Sequence, residues 1–388
     1  MDYTFSNKIN ALAPSAIREI LKATSQPGII PFAAGNPAPE AFPVEAVREI
    51  SARLLEERPV DCLQYGITEG YTPLRARVKE DIQNRLQIGG AGDDLIITSG
   101  AQQVVDLATK ALCNEGDVVI AESPSFIGSL NTFRSYGTRL RGVPLRADGM
   151  DVDALEGILR SEKNVRFIYT IPNYQNPSGV TMSLEKRRRI YELARQYGVL
   201  ILEDNPYGEL RYEGGALPCI KSFDEENIVV YAGSFSKILS PGLRVGYALA
   251  PAQIIAKMTV GKQASDVHTP IFNQIIVDEW MKNYDVAGHI EHIRKVYTAK
   301  RDLMCDGLAG SVLRFRRPAG GLFLWCELPE EVGMLEYAKR AVEKKVAVVP
   351  GIAFAVEQGD PINAVRLNFS TPTDGQLIRG VEILRGLK

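Results

Sequence analysis

The run Ile228-Val229-Val230-Tyr231-Ala232-Gly233 leads into Ser234-Phe235-Ser236-Lys237, and Arg244 follows seven residues later in Gly242-Leu243-Arg244-Val245-Gly246. This stretch sets a primary amine, two hydroxyls and a guanidinium at the end of what reads as a buried strand. An amine in that position can form a Schiff base with an aldehyde, and the hydroxyls and guanidinium beside it suit a phosphate. A lysine after a strand is more often a solvated side chain, so the rest of the chain has to decide between the two readings.

Outward from this stretch, further apolar runs read as buried parallel strands: Leu95-Ile96-Ile97-Thr98, Val118-Val119-Ile120-Ala121, Phe167-Ile168-Tyr169-Thr170 and Val199-Leu200-Ile201-Leu202, with Val245-Gly246-Tyr247-Ala248-Leu249 continuing the series. They are continuous rather than alternating, as expected where helices cover both faces of a sheet. Helical stretches lie between several of them, notably residues 184–197. The pattern predicts a three-layer α/β/α domain with a mainly parallel sheet. A long helical region is expected over 270–308. Beyond it the order changes to strands near 312–315, 322–326, 347–349 and 365–369, with helices at 334–345 and at the end of the chain, which predicts a smaller α+β domain. Residues 1–40 read as an N-terminal arm with an amphipathic helix near 14–21 and a loop at Gly35-Asn36-Pro37-Ala38-Pro39. The expected boundaries are 1–40, 41–285 and 286–388.

Composition narrows the function classes. A net charge of −2 over 388 residues, with no basic tract, gives no footprint for nucleic acid. Five widely spaced cysteines with no C-x-x-C pair support neither a zinc site nor a disulfide framework. No apolar run approaches the ~20 residues of a membrane span, and the first residues lack a signal-peptide pattern. The expectation is a cytoplasmic protein with no metal, no membrane partner and no nucleic-acid partner. His289 and His292, spaced i, i+3, have no third ligand nearby in sequence and read as exposed surface histidines.

Polar residues cluster at the carboxyl ends of the expected strands, where open α/β sheets place their ligands. Thr98-Ser99-Gly100-Ala101-Gln102 opens a helix whose first amides would hold a phosphate. Asn173-Tyr174-Gln175-Asn176-Pro177-Ser178-Gly179 ends another strand, and Glu203-Asp204-Asn205-Pro206-Tyr207 a third. Asp204 would ordinarily cap a helix or meet a buried arginine. Opposite a pyridine nitrogen, its carboxylate would keep that nitrogen protonated.

In order, Gly-Asn-Pro-Ala-Pro, Gln-Tyr-Gly, Ser-Gly-Ala-Gln-Gln, Asn-Pro-Ser-Gly, Glu-Asp-Asn-Pro-Tyr, Ser-Phe-Ser-Lys, Gly-Leu-Arg-Val-Gly and Val-Arg-Leu-Asn-Phe-Ser make the chain resemble the fold-type I, class I/II pyridoxal-phosphate aminotransferases over nearly its whole length. Within them it most resembles the 2-aminoadipate, kynurenine and broad-range aromatic aminotransferase branch. The resemblance implies pyridoxal 5'-phosphate held on Lys237, which would also move the substrate proton. Asp204 would face the pyridinium nitrogen, and Asn176 and Tyr207 the ring's phenolate oxygen. Phe126 would stack on the ring, where relatives often have Tyr. Ser99, Gly100, Ala101, Gln102, Ser234, Ser236 and Arg244 would surround the phosphate, Arg244 by its planar fork. Tyr65 matches a tyrosine that reaches the neighbouring subunit's phosphate, which implies a homodimer with shared sites; without the resemblance it reads as an interior aromatic. Arg366 would bind the substrate α-carboxylate, assisted by Asn173, with Gly35 in the substrate-binding set.

The implied reaction is ping-pong transfer of an amino group from an L-amino acid to a 2-oxo acid, with 2-oxoglutarate as the expected acceptor. A carbon–sulfur β-lyase would use much of the same apparatus, and release of pyruvate and ammonia from cystathionine without an oxo acid would reveal it. A regulator with this fold fused to a winged helix is disfavoured, because residues 1–13 leave no room for such a domain. Ser15-x-x-Arg18 resembles a pair on a helix that covers the side-chain pocket, so Arg18 is expected to meet a distal carboxylate; the alternative is a surface arginine in a weak ion pair. Arg18→Ala should then lower kcat/KM for L-glutamate, and unchanged glutamate kinetics would remove Arg18 from the pocket.

Overall fold

The computed structural model describes residues 2–10, 12 and 28–387. The expected helix near 14–21, with Ser15 and Arg18, lies outside the described residues. Strands β1 (Asp93–Thr98), β2 (Val118–Ser123), β3 (Arg139–Arg146), β4 (Gly149–Met150), β5 (Val165–Thr170), β6 (Leu200–Asp204), β7 (Val229–Ser234) and β8 (Gly246–Pro251) form one sheet in the order β1-β8-β7-β6-β5-β2-β3-β4. The pairs β2/β3, β2/β5, β5/β6 and β6/β7 are parallel.

β8, expected to be parallel, runs antiparallel to both β1 and β7. Only residues 235–245 separate it from β7, and a parallel crossover needs about a dozen residues or more. The reversal brings Gly246 level with Thr98 on one side and Ser234 on the other. Arg244, two residues earlier, therefore returns to the same edge of the sheet as Lys237.

Alternate residues of the strands feed two faces. Leu95, Ile97, Tyr231 and Leu249 pack with residues of the helices Val44–Glu57, Thr72–Leu86 and Ile271–Asn283. Ile96, Val119, Tyr169, Val230 and Ala248 pack with the helix Ala101–Leu112 and with residues of the second sheet. Val118, Ile120, Ile168, Ile201 and Val229 build a further cluster with the helices Val152–Ser161 and Leu184–Tyr197. β3 was not among the expected strands: its side chains are largely half-exposed and it contains Pro144, so its sequence carries little of the apolar signal.

The second sheet, β9 (Arg314–Phe315), β10 (Phe323–Glu327), β11 (Val349–Pro350) and β12 (Ala364–Asn368), is antiparallel in the order β11-β12-β10-β9. Residues 28–38 lean on it, with Ile30 bridging to Val346 and the Asn368 N–H donating to the Phe32 carbonyl. The helical region expected over 270–308 is two helices, Ile271–Asn283 and Val286–Gly307, divided where Asp285 accepts the Gly288 N–H at 2.8 Å and caps the second.

Gly246 is pressed against the turn that opens the helix Ala101–Leu112: a Cβ there would stand 2.7 Å from the Gly100 carbonyl carbon and 2.8 Å from the Ala101 nitrogen. Both are backbone atoms with little room to move. Gly246→Ala is expected to destabilise the fold by about 1–3 kcal/mol, read as a lower urea midpoint at unchanged slope; an unchanged midpoint would mean that the turn yields freely.

Candidate active site

Asp204 ends β6 and is buried between β5 and β7. Its Oδ2 accepts from the Tyr169 hydroxyl at 2.8 Å, and that hydroxyl accepts from Ser129 Oγ at 2.9 Å. Its Oδ1 is buried with no partner among the described residues. Desolvation pushes the carboxyl up to about 6 against the opposing Tyr169 hydrogen bond. A buried acceptor in this state calls for a cationic donor.

Tyr207 and Asn176 stand on the next two loops of the same edge, with Asn176 Nδ2 donating to the Tyr207 hydroxyl at 3.4 Å. Burial pushes the Tyr207 hydroxyl up, and Arg366 opposes the shift. Asn176 Oδ1 accepts from Arg366 Nη1 at 3.0 Å, and Arg366 Nη2 donates to the Ala33 carbonyl at 2.9 Å. The Arg366 guanidinium lies between two aromatic faces, 4.2 Å from the Phe323 centroid and 4.9 Å from that of Phe354. Its Nε has no partner among the described residues, and burial pulls the group down to about 10. β12 thus delivers a buried cation, without a carboxylate partner among the described residues, to the edge that holds Asp204.

Lys237 follows β7, and its Nζ donates to the Gly35 carbonyl at 3.0 Å. Gly35 is packed close to Phe323, whose ring carbon would lie 3.4 Å from an added Cβ. Around Gly100 the chain forms a cradle. Gly100 has φ +79°, and a Cβ there would collide with the Arg244 guanidinium. Arg244 Nη2 donates to the Ser99 carbonyl at 2.9 Å. Ala101 and Gln102 open the helix with first-turn amides that the helix itself leaves free. Ser234 Oγ accepts the Ser236 N–H at 3.1 Å beside them. The Phe126 ring lies over Gly128 and close to the Gln102 side chain, which donates to the Gly128 carbonyl and Thr132.

Four expectations change in detail. Asn173 is committed elsewhere: its Oδ1 accepts from Arg187 at 2.7 Å and its Nδ2 donates to Asn205 at 2.9 Å, because the buried Arg187 takes the carbonyls of Met182, Pro172 and Pro218 as well. The Ser99 hydroxyl turns to Asp266 and Thr269, and its backbone carbonyl, not its side chain, meets Arg244. Tyr65 is not interior; it is 81% exposed and touches His268 edge-on. His292 is exposed as expected, but His289 is half-buried against Trp280, with Nε2 2.8 Å from the Ile238 carbonyl. No group of three metal-binding side chains occurs among the described residues, and none of their helices is long and apolar enough to cross a membrane.

Sequence reading missed Tyr169 and Glu122. Glu122 is fully buried, accepts from Thr170 Oγ1 (2.6 Å), the Ile171 N–H (3.1 Å) and Gln175 (3.3 Å), and thereby ties down the loop carrying Asn173 and Asn176. Burial lifts it to about 7. Polar residues near the strand ends, one strand from Asp204 for Tyr169 and two for Glu122, were the available signal.

A family model for aminotransferase class I and II matches residues 27–384. The chain belongs to this family. It is 40% identical to an aromatic-amino-acid aminotransferase of Thermococcus litoralis, over 99% of this chain and 94% of that one. It is likewise 40% identical to a 2-aminoadipate transaminase of Thermus thermophilus, over 99% and 96%. The crystal structure of an α-aminoadipate aminotransferase of Thermus thermophilus, complexed with N-(5'-phosphopyridoxyl)-L-leucine, superposes with a TM-score of 0.90 at 39% identity, covering 98% of this chain and 96% of that one. The protein is a fold-type I, pyridoxal-phosphate-dependent transaminase of amino acids.

Burial, reinforced by the charges of Arg244 and Arg366, pulls the Lys237 amine from its ordinary 10.5 down to about 8. Between those two values the unfolded chain binds more protons than the folded one, so stability rises with pH; the penalty is complete below about 8 and gone above about 10.5. In the cofactor-free protein Lys237→Met should therefore raise stability near pH 7, with the gain vanishing toward pH 10.5 in urea melts. An equal gain at both ends would contradict a depressed amine.

Proposed function

We propose that this aminotransferase moves the amino group of L-glutamate, 2-aminoadipate, or an aromatic or aliphatic L-amino acid to a 2-oxo acid, with 2-oxoglutarate as the usual acceptor. The observation that carries the reading is the buried Arg366 fork, bonded to Asn176 beside Tyr207 and, among the described residues, only to neutral oxygens. A planar cation in that setting is suited to an α-carboxylate. The side-chain range follows the relatives, one named for aromatic amino acids and one for 2-aminoadipate.

The residues fit the cofactor. Asp204 Oδ1, buried without a partner among the described residues, is a place for the pyridinium N–H. Asn176 and Tyr207 are a donor pair for the phenolate oxygen, Phe126 a face for the ring, and Lys237 the covalent anchor. The amides of Ala101 and Gln102, with Gly100, Ser234, Ser236 and Arg244, form the phosphate cradle. Pyridoxal phosphate supplies an electron sink when the substrate α-proton leaves. The Lys237 amine, whose affinity for a proton burial lowers in the cofactor-free chain, is the group that can take and return that proton at Nζ. Arg366 orients the substrate and the aromatic pair Phe323 and Phe354 keeps water off its carboxylate.

The assembly belongs to the same reading. Val60, Leu63, Tyr65, Ile67 and Val267 are exposed hydrophobics around Tyr65, a patch suited to a second copy that would receive the tyrosine. All five cysteines are free, which favours the cytoplasm. The domain boundaries at 40 and 285 complete the proposal, with Arg366 carried on the smaller unit.

L-Glutamate is expected to bleach the visible band of the bound cofactor and 2-oxoglutarate to restore it. A band that ignores glutamate would move the donor elsewhere. Arg366→Met should lower kcat/KM for every donor by about thirtyfold or more, the ~2–5 kcal/mol of losing one side of a buried charged contact; a loss confined to dicarboxylic donors would place Arg366 at the side-chain end.

A further inference from the structure

Beneath the phosphate cradle lies a second layer that the reaction itself does not use. Lys262, in the helix Ala252–Gln263, is a lysine with a fully buried side chain. Its Nζ has four oxygens within hydrogen-bond distance: Gln103 Oε1 at 2.6 Å, Asp266 Oδ1 and Oδ2 at 2.9 and 3.0 Å, and Thr269 Oγ1 at 3.0 Å. An ammonium has only three protons, so two of these contacts share one.

Each partner of Lys262 is tied to Ser99. Gln103 Oε1 accepts the Ser99 N–H at 2.8 Å, and Gln103 Nε2 donates to Asp266 Oδ2 at 2.8 Å. The Ser99 hydroxyl donates to Asp266 Oδ2 at 3.0 Å and lies 3.2 Å from Thr269 Oγ1. The Ser99 carbonyl faces the other way and accepts from Arg244. The same cluster reaches the surface around Tyr65, because the Thr269 carbonyl contacts His268 Nδ1 at 2.8 Å and His268 Nε2 accepts the Gly66 N–H at 3.3 Å.

We infer that Lys262 is a positioning residue for the cofactor phosphate: through Gln103, Asp266 and Thr269 it fixes the Ser99–Gly100 turn, so that the first helix amides and Arg244 converge on one point. The inference rests on the cofactor reading above. The turn needs such a brace because Gly100 holds a positive φ, Gly246 presses on its other side, and Arg244 itself sits at φ +53°. Without a fixed Ser99, Arg244 loses the acceptor that aims it.

The test compares pyridoxal phosphate with pyridoxal, which lacks the phosphate, each titrated onto the full-length protein stripped of cofactor. For metal sites, losing an outer partner weakens binding about 10–100-fold, and Lys262→Met is expected to weaken pyridoxal phosphate by about tenfold or more while leaving pyridoxal unchanged. Gln103→Leu keeps the Lys262–Asp266 ion pair and removes the Gln103 contacts with the Ser99 N–H, Lys262 and Asp266, so it covers the case in which the lysine variant fails to fold; it is expected to shift the same ratio in the same direction. Equal weakening of both ligands in either variant, or weakening of neither, overturns the inference. Failure of the wild-type protein to bind pyridoxal phosphate would instead overturn the cofactor reading beneath it.

Discussion

Asp204 keeps one oxygen on the Tyr169 hydroxyl and leaves the other buried with no partner among the described residues, and that imbalance governs the edge of the sheet around it. A carboxyl withdrawn from water tends to neutralise, and the single hydroxyl donor does not reverse the shift. On the proposed reading, a cationic ring nitrogen completes the pair, and the bound ring is then fixed at one end. Tyr207 and Asn176 follow from neighbouring parallel strands and Lys237 from β7. Parallel strands make this convergence cheap, since every β-to-α turn opens at the same edge.

The reversal at β8 supplies what parallel strands cannot. Had β8 run parallel, Arg244 would have stood at the far edge of the sheet, away from Lys237. Because the chain turns back within residues 235–245, Arg244, Gly246 and Ser234 meet Gly100 in a single layer. The apolar run at 245–249 was legible as a strand, but its direction was not, because side chains covered on both faces look the same either way. The length of the connection held the missing information.

The same limit explains what else escaped the sequence. Lys237, Asp204, Tyr207, Asn176, Arg244 and Arg366 were legible because each sits in an ordered series of short motifs. Tyr169 and Glu122 sit among apolar strand residues, and what makes them matter is a hydrogen bond to an adjacent strand or the loop after it. Lys262 looked like one of many helical lysines; its four oxygens come from three separate residues, one of them far away in the chain. Asn173 was read from its motif, yet the buried Arg187, outside that motif on the following helix, claims its oxygen. Sequence order reports which residues lie near a strand end, while competition for a buried donor is settled only in three dimensions.

Arg366 shows that competition most clearly. Its fork is occupied by two neutral oxygens, one from the Asn176 loop and one from Ala33 in the segment ahead of Gly35, whose own carbonyl accepts a hydrogen bond from Lys237. A carboxylate adds its own charge to the bond where a neutral carbonyl adds none, so on the proposed reading an arriving α-carboxylate outcompetes both. Displacing them releases Asn176 Oδ1 and the Ala33 carbonyl from the second sheet's arginine. Substrate binding and rearrangement of the segment over Lys237 are then one event, because the same guanidinium holds both. The neutral partners occupy Nη1 and Nη2 of the buried cation when no substrate is present and leave Nε without a partner among the described residues, so the group is only partly satisfied until an anion replaces them.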